Sequence, residues 1–251
     1  MELSELPDGL TELLRQARRV VALTGAGISA ESGVPTFRDA QQGLWAKFDP
    51  LELATPEAFQ RDPQRVWDWY AWRRELVAKV EPNAGHHALA RWAALVPELI
   101  VVTQNVDGLH QRAGSPRVIE LHGNIVRSKC SLEGVVIDSW PPTDERPPRC
   151  PQCASYLRPD VVWFGEMLPA WELAAAEQAV EEADLVLSIG TSSIVQPAAS
   201  LPWAALRRGA TVVEINLEDT PLTPHVPYSL RGSAGSVLPR LVEAVASAAA
   251  P

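Results

Sequence analysis

The chain has 251 residues, 46% of them hydrophobic and 21% charged, enough for one large domain or one domain carrying a small insertion. No apolar run approaches the ~20 residues of a membrane-spanning helix, and the acidic start MELSELPDGL has no basic segment followed by an apolar one, so neither a span nor a secretion signal is expected. A net charge of −9 disfavours nucleic-acid binding and fits a partner that carries positive charge, such as a lysine-rich protein tail.

In chain order, apolar runs predict strands over Arg19–Thr24, Leu99–Thr103, Val118–Leu121, Asp184–Ile189 and Thr211–Ile215. Helical patterns lie near 9–18, 63–80, 84–96, 170–183, 197–208 and 236–249, the last ending in an alanine-rich tail expected to fray. Strands alternating with helices indicate an α/β fold built on a parallel sheet. Two stretches break the alternation. Residues 44–82 form a long tryptophan-bearing excursion between the first two strands, expected to be a helical insertion. Residues 126–160 hold all three cysteines and a proline cluster, expected to be a small inserted module. The main domain is then 1–43, 83–125 and 161–251. An odd cysteine count with Cys150-x-x-Cys153 points to metal binding rather than to a disulfide framework, and so to a reducing, cytoplasmic setting.

The first strand runs into Gly25-Ala26-Gly27-Ile28-Ser29-Ala30, the GxGxxA form of a dinucleotide-binding turn. Glycines let the backbone approach a pyrophosphate, and amides at a helix start favour the anion; a plain tight turn is the alternative. A dehydrogenase-type domain needs an acidic ribose reader at the end of a second strand ~20 residues on. Here that stretch is a loop, so simple hydride transfer is disfavoured.

The loop continues to Val34-Pro35-Thr36-Phe37-Arg38. Thr103-Gln104-Asn105-Val106-Asp107-Gly108-Leu109-His110 follows, and then Glu120-Leu121-His122-Gly123-Asn124. Next come Val161-Val162-Trp163-Phe164-Gly165-Glu166 and Gly190-Thr191-Ser192, and last Glu214-Ile215-Asn216-Leu217-Glu218. In this order the six blocks resemble the sirtuin family over roughly Val20 to Gly235. The resemblance implies a Rossmann-like NAD domain, with helices on both faces of the sheet, and a small zinc-ribbon-like module. It also implies a reaction. NAD loses nicotinamide, the acyl oxygen of an acyl-lysine attacks the ribose carbon, and collapse of the adduct gives free lysine and O-acyl-ADP-ribose.

The same resemblance implies residue roles. His122 is the catalytic base on a ribose hydroxyl, chemistry that suits a side chain titrating near neutrality. His86, His87, His110 and His225 are expected to be structural or exposed. NAD contacts fall to Gly25, Ala26, Gly27, Ile28, Ala30, Thr36, Phe37, Arg38 and Trp45. They continue through Gln104, Asn105, Val106 and Asp107, then Gly190, Thr191 and Ser192, and end with Asn216, Leu217, Glu218 and Ala234. Asn105 and Asp107 are complementary to a carboxamide and a ribose, and Phe37 shields a reactive intermediate from water. Val162, Trp163, Phe164, Gly165 and Glu166 match the segment that pairs with an acyl-lysine peptide backbone.

Tyr70 and Arg73 lie three apart on a predicted helix and share a face. They match the Tyr-x-x-Arg feature of sirtuins that remove succinyl, malonyl or glutaryl groups, as does the small residue Ala54. Arg73 suits a distal carboxylate through paired, charge-assisted bonds. Deacetylation stays open beside it. The family's metal pattern has two Cys-x-x-Cys pairs, whereas this chain has Cys130-Ser131-Leu132-Glu133 and Cys150-Pro151-Gln152-Cys153. Three options follow: Glu133 completes a structural zinc site, another residue or water completes it, or the metal is lost. Protein mono-ADP-ribosyl transfer and a noncatalytic NAD sensor remain the competing functions.

Overall fold

The computed structural model describes residues 6–35 and 52–247. Thr36, Phe37, Arg38 and Trp45 lie outside the described residues, as does the end of the alanine-rich tail.

Six strands form a parallel sheet in the order β3-β2-β1-β7-β8-β9. They are β1 (Arg19–Thr24), β2 (Glu98–Thr103), β3 (Val118–Glu120), β7 (Leu185–Ile189), β8 (Thr211–Asn216) and β9 (Tyr228–Arg231). Alternate residues serve opposite cores, as the two-residue period of a strand dictates. Val20, Ala22, Leu99, Val101, Leu185 and Leu187 face one layer with α1 (Leu10–Gln16), α4 (Ala84–Trp92) and α8 (Ala234–Ala246). Val21, Leu23, Ile100, Val102 and Val186 face the other, where α6 (Ala170–Glu181) and α7 (Leu201–Arg208) pack. The helices therefore cover both faces. The chain adds strands outward from β1 on one side and then returns to add β7, β8 and β9 on the other. This puts a topological switch point at the β1/β7 seam, where open α/β sheets bind ligands.

The strand of this parallel sheet missing from the predicted set is β9. Tyr-Ser-Leu-Arg is short, mixed in polarity and at the sheet edge, so only Leu230 is fully buried in it. A second, antiparallel sheet of order β5-β4-β6 is made by β4 (Gly123–Cys130), β5 (Val136–Ile137) and β6 (Leu157–Val161), starting a little before residue 126 and ending just past 160.

Before it in the chain come α2 (Pro56–Arg61) and α3 (Pro63–Ala78), and between β2 and β3 lies α5 (Leu109–Arg112). The first two of these helices start by the same device. Thr55 Oγ1 accepts from Ala58 N at 3.1 Å and Asp62 Oδ1 accepts from Arg65 N at 3.0 Å, each followed by proline at the first helical position. The helical excursion and the small sheet share apolar clusters. Trp67 of α3 packs with Cys130, Ile137, Cys150 and Leu157, and Tyr70 packs with Ile125, Val161 and Trp163.

Trp92 is the largest fully buried side chain of the α1/α4/α8 layer. Trp92→Ala should lower unfolding stability by about 3–5 kcal/mol, read as a fall in the urea midpoint with an unchanged slope.

Candidate functional site

The register places the strand ends level. Thr24 pairs with Thr103 on one side and with Ile189 on the other, and Ile189 pairs with Ile215. Gly25, Gln104, Gly190 and Asn216 thus leave the sheet side by side. Gly27 N donates to Gly190 O at 2.9 Å and Gly25 N to Ile189 O at 3.0 Å. A Cβ on Gly27 would sit 2.7 Å from Gly190 Cα. One on Gly190, whose φ is +57°, would sit 2.6 Å from Ile28 N. Glycine is therefore demanded here by backbone-to-backbone packing as well as by the bare approach a phosphate needs. The loop does not open a long helix. It makes two short 3₁₀ turns, Ala26–Ile28 and Ala30–Ser32. The helix amides anticipated after the glycines are limited to those turns.

Ser29 organises the next layer. Its hydroxyl donates to Asp107 Oδ2 at 2.7 Å and accepts from Asn105 Nδ2 at 3.1 Å, with His86 Nε2 3.4 Å away. Asn105 Nδ2 also donates to Gly25 O at 3.1 Å, so both amide hydrogens are engaged and the carboxamide plane is fixed. Asp107 Oδ1 accepts from Leu109 N at 2.9 Å. Burial pushes the Asp107 carboxyl up, and the Leu109 and Ser29 bonds pull it back. Gln104 Nε2 donates to Thr191 Oγ1 and Asn216 Nδ2 to Thr191 O, at 3.1 and 2.8 Å, linking three strand ends.

His122 follows β3. Its Nδ1 lies 2.8 Å from Gln104 O, a contact that makes Nδ1–H the donor and leaves Nε2 as a lone-pair acceptor. Burial lowers its pKa and the Gln104 carbonyl raises it, with burial the larger effect. The next residue, Gly123, has φ +76° and lies so close to Asp160 O that a Cβ would meet it at 2.2 Å.

Ala54, Tyr70 and Trp163 share one apolar cluster. Phe164 N donates to Ala54 O at 2.9 Å and Val162 N to His122 O at 2.9 Å, so this segment is tied both to the excursion and to the histidine. The Arg73 guanidinium lies 4.8 Å from the centroid of Trp69 and 5.4 Å from that of Tyr70. Burial lowers its pKa, offset in part by Tyr70. Glu166 is engaged within its own loop, where it accepts two bonds from Arg158, at 2.5 and 2.9 Å, and one from Trp163 N at 2.8 Å. Ala234 is buried at the start of α8, while Leu217 is 69% exposed. Gly165 stands at φ +86° with open space beside it. Ser192 and Glu218 lie in the segments just past β7 and β8.

Sequence reasoning missed Ser29 and Arg158, whereas His86 and His110 are buried structural side chains, as expected. Ser29 sat in the glycine loop, and Asn83-x-x-His86 is a readable capping box, with Asn83 Oδ1 accepting from Gly85 N at 2.9 Å and Asn83 N donating to His86 Nδ1 at 3.3 Å. Nothing local flagged Arg158 as the holder of Glu166.

The Sγ atoms of Cys130, Cys150 and Cys153 all lie within 4.8 Å of one another, and those of Cys130 and Cys153 are 3.4 Å apart. Glu133 N donates to Cys130 Sγ at 3.4 Å, closing the turn around that thiol. Three soft donors converging in this way fit zinc. The Glu133 carboxylate is not part of the convergent set and its side chain is exposed, so the three thiols are the protein ligands the fold brings together.

The sequence model of the Sir2 family matches residues 25–197. The NAD-dependent protein deacylase 2 of Pyrobaculum aerophilum is 52% identical over 236 residues, covering 94% of this chain and 94% of that protein. The NAD-dependent protein deacylase of Methylococcus capsulatus is 49% identical over 251 residues, covering 96% and 98%. A solved complex of a Sir2 homolog with NAD superposes with a TM-score of 0.91 at 47% identity, covering all of this chain and 98% of that one.

Burial holds His86 down to about 4 and His110 to about 3, against an ordinary value of 6.5. Between 6.5 and these values the unfolded chain binds more protons, so stability is full above about pH 6.5 and is lost as pH falls. The melting temperature should therefore drop on acidification from about pH 6.5 to 5, and the slope should be shallower in His110→Gln. A chelator should lower the melting temperature of zinc-loaded protein, and Cys150→Ser should abolish that difference.

Proposed function

The chain belongs to the Sir2 family, and from that premise we propose that it is an NAD-dependent protein deacylase that frees acylated lysines, with a pocket suited to acyl groups ending in a carboxylate. The observation that carries the reading is the placement of His122, anchored through Nδ1 to Gln104 O, next in line to the Asn105–Ser29–Asp107 network at the strand ends.

NAD, when bound, supplies the ADP-ribosyl group that accepts the acyl group and nicotinamide as the leaving group. The backbone of Gly25, Ala26, Gly27, Ile28 and Ala30 holds the pyrophosphate in this reading. Gly190, Thr191, Ser192, Asn216, Leu217, Glu218 and Ala234 serve the adenosine side. Gln104, Asn105, Val106 and Asp107 serve the nicotinamide side, with Thr36, Phe37, Arg38 and Trp45 assigned by resemblance alone. His122 takes a ribose hydroxyl proton on Nε2. Its lowered pKa keeps it unprotonated at neutral pH, as a base requires.

The substrate is an acylated protein. Its peptide lies along Val162–Glu166, where Phe164 is exposed and Gly165 has open space beside it. Ala54, Tyr70 and Arg73 form the acyl end. Arg73, a delocalised cation resting on two aromatic faces, suits a carboxylate better than it suits a methyl group. Structural zinc on Cys130, Cys150 and Cys153 cross-links the small sheet. In domain terms, 1–43, 83–125 and 161–251 form the NAD unit, 44–82 the helical insertion and 126–160 the zinc module. Three unpaired cysteines fit a cytoplasmic setting. No helix among the described residues is long and apolar enough to cross a membrane, and the acidic charge supports no nucleic-acid partner.

Purified protein incubated with NAD and matched acetyl-lysine, succinyl-lysine and unmodified peptides should deacylate the first two only when NAD is present. His122→Ala should lower turnover at least about 100-fold while still binding NAD by calorimetry. Tyr70→Phe with Arg73→Met should cut succinyl removal more than acetyl removal. Equal losses would contradict the pocket, and mass gain on the unmodified peptide would indicate ADP-ribosyl transfer instead.

A further inference from the structure

We infer that Trp163 is a positioning residue that sets acyl-chain selectivity, by holding the Tyr70 hydroxyl as a donor aimed at a distal carboxylate. The inference rests on the carboxyl-acyl reading of Tyr70 and Arg73.

Trp163 Nε1–H donates to the Tyr70 oxygen at 3.0 Å, and both side chains are buried, at 3% and 2% exposure. The Arg73 guanidinium lies beside the same residue, 5.4 Å from the Tyr70 ring centroid. An indole N–H and a guanidinium have no acceptor sites, whereas a phenol oxygen has one hydrogen to give and lone pairs to receive. Among the described residues, Trp163 bonds the oxygen and Arg73 lies near it; both are obligate donors, and neither can receive the hydroxyl hydrogen. In this reading that hydrogen is offered to a third group, which has to be an acceptor. A carboxylate at the end of an acyl chain is acceptor-only and gains a bond from it, while the methyl of an acetyl group gains nothing. Without the indole N–H, the phenol would be free to turn its hydrogen elsewhere and to present its oxygen, which repels a carboxylate.

The indole is held on every side. Arg158, buried on β6, places its guanidinium 3.3 Å from the Trp163 ring centroid and bonds Glu166 twice. Glu166 in turn accepts from Trp163 N. Phe59 packs against the ring at 5.3 Å between centroids. The neighbouring Phe164 N is fixed to Ala54 O. The segment proposed to pair with the peptide backbone and the hydroxyl proposed to read the acyl terminus are therefore joined through one rigid side chain.

The test measures kcat/KM for succinyl-lysine and acetyl-lysine peptides in the wild type, Trp163→Phe, Tyr70→Phe and the double variant, with melting temperatures alongside. Trp163→Phe should lower the succinyl-to-acetyl ratio about tenfold, the loss expected for one buried hydrogen bond. The double variant should match Tyr70→Phe within about twofold, because the two residues act through one hydroxyl. Should Trp163→Phe fold poorly, benzothienylalanine at 163 keeps the ring size, removes only the N–H and should give the same fall. A Tyr70→Phe effect on the ratio with no effect of either 163 change, multiplying effects in the double variant, or equal loss on both peptides overturns the inference while leaving the pocket reading intact. A ratio unmoved by Tyr70→Phe overturns the pocket reading and the inference with it.

Discussion

The backbone contact between Gly27 and Gly190 at the β1/β7 seam is the constraint on which the rest of the site depends. With N–H to O at 2.9 Å and no room for a Cβ on either residue, two loops that are far apart in sequence leave the sheet in contact. Gln104 and Asn216 emerge on the flanking strands at the same level, and Thr191 accepts a bond from each. The ligand-facing surface is thus a continuation of the sheet's register. A substitution that forced the two backbones apart would move every group beyond them.

Above that seam the polar groups are oriented by one another. Ser29 uses its single hydrogen on Asp107 and receives from Asn105, and this leaves the Asn105 carboxamide one orientation. Buried His86 and His110, kept neutral by desolvation, pack ring against ring at 4.9 Å behind this layer. His110 Nε2 reaches Thr24 Oγ1, which also bonds Thr103 Oγ1. Neutral donors and acceptors thus back the site and help to hold its polar groups in place. The proposed acyl end follows the same rule, with Trp163 and Arg73 arranged around Tyr70.

Much of this was legible in the sequence, for identifiable reasons. β1, β2, β7 and β8 are buried on both faces, so they read as largely apolar runs, with Ser188 and Glu214 the internal polar residues. The site blocks follow strands directly, and the strand ends converge. β9 escaped because an edge strand with Ser229 and Arg231 need not be apolar, and β4 because Asn124, Arg127 and Lys129 interrupt its pattern beside a bulge. Ser29 and Arg158 escaped for a different reason. Ser29 meets Asp107 across 78 positions of sequence, and Arg158 matters through Glu166 and the Trp163 ring, which no local periodicity encodes. The altered metal pattern was visible, yet only the fold shows three thiols meeting without the Glu133 carboxylate.

In the proposed function, one assembly at the strand ends couples NAD cleavage to lysine release. The most direct measurement counts nicotinamide and freed lysine in the same reaction, using wild-type protein, NAD and a succinyl-lysine peptide. One nicotinamide is expected for each lysine uncovered throughout the time course, and neither product when the peptide or NAD is left out. Nicotinamide released without uncovered lysine, or lysine uncovered without NAD, would contradict it.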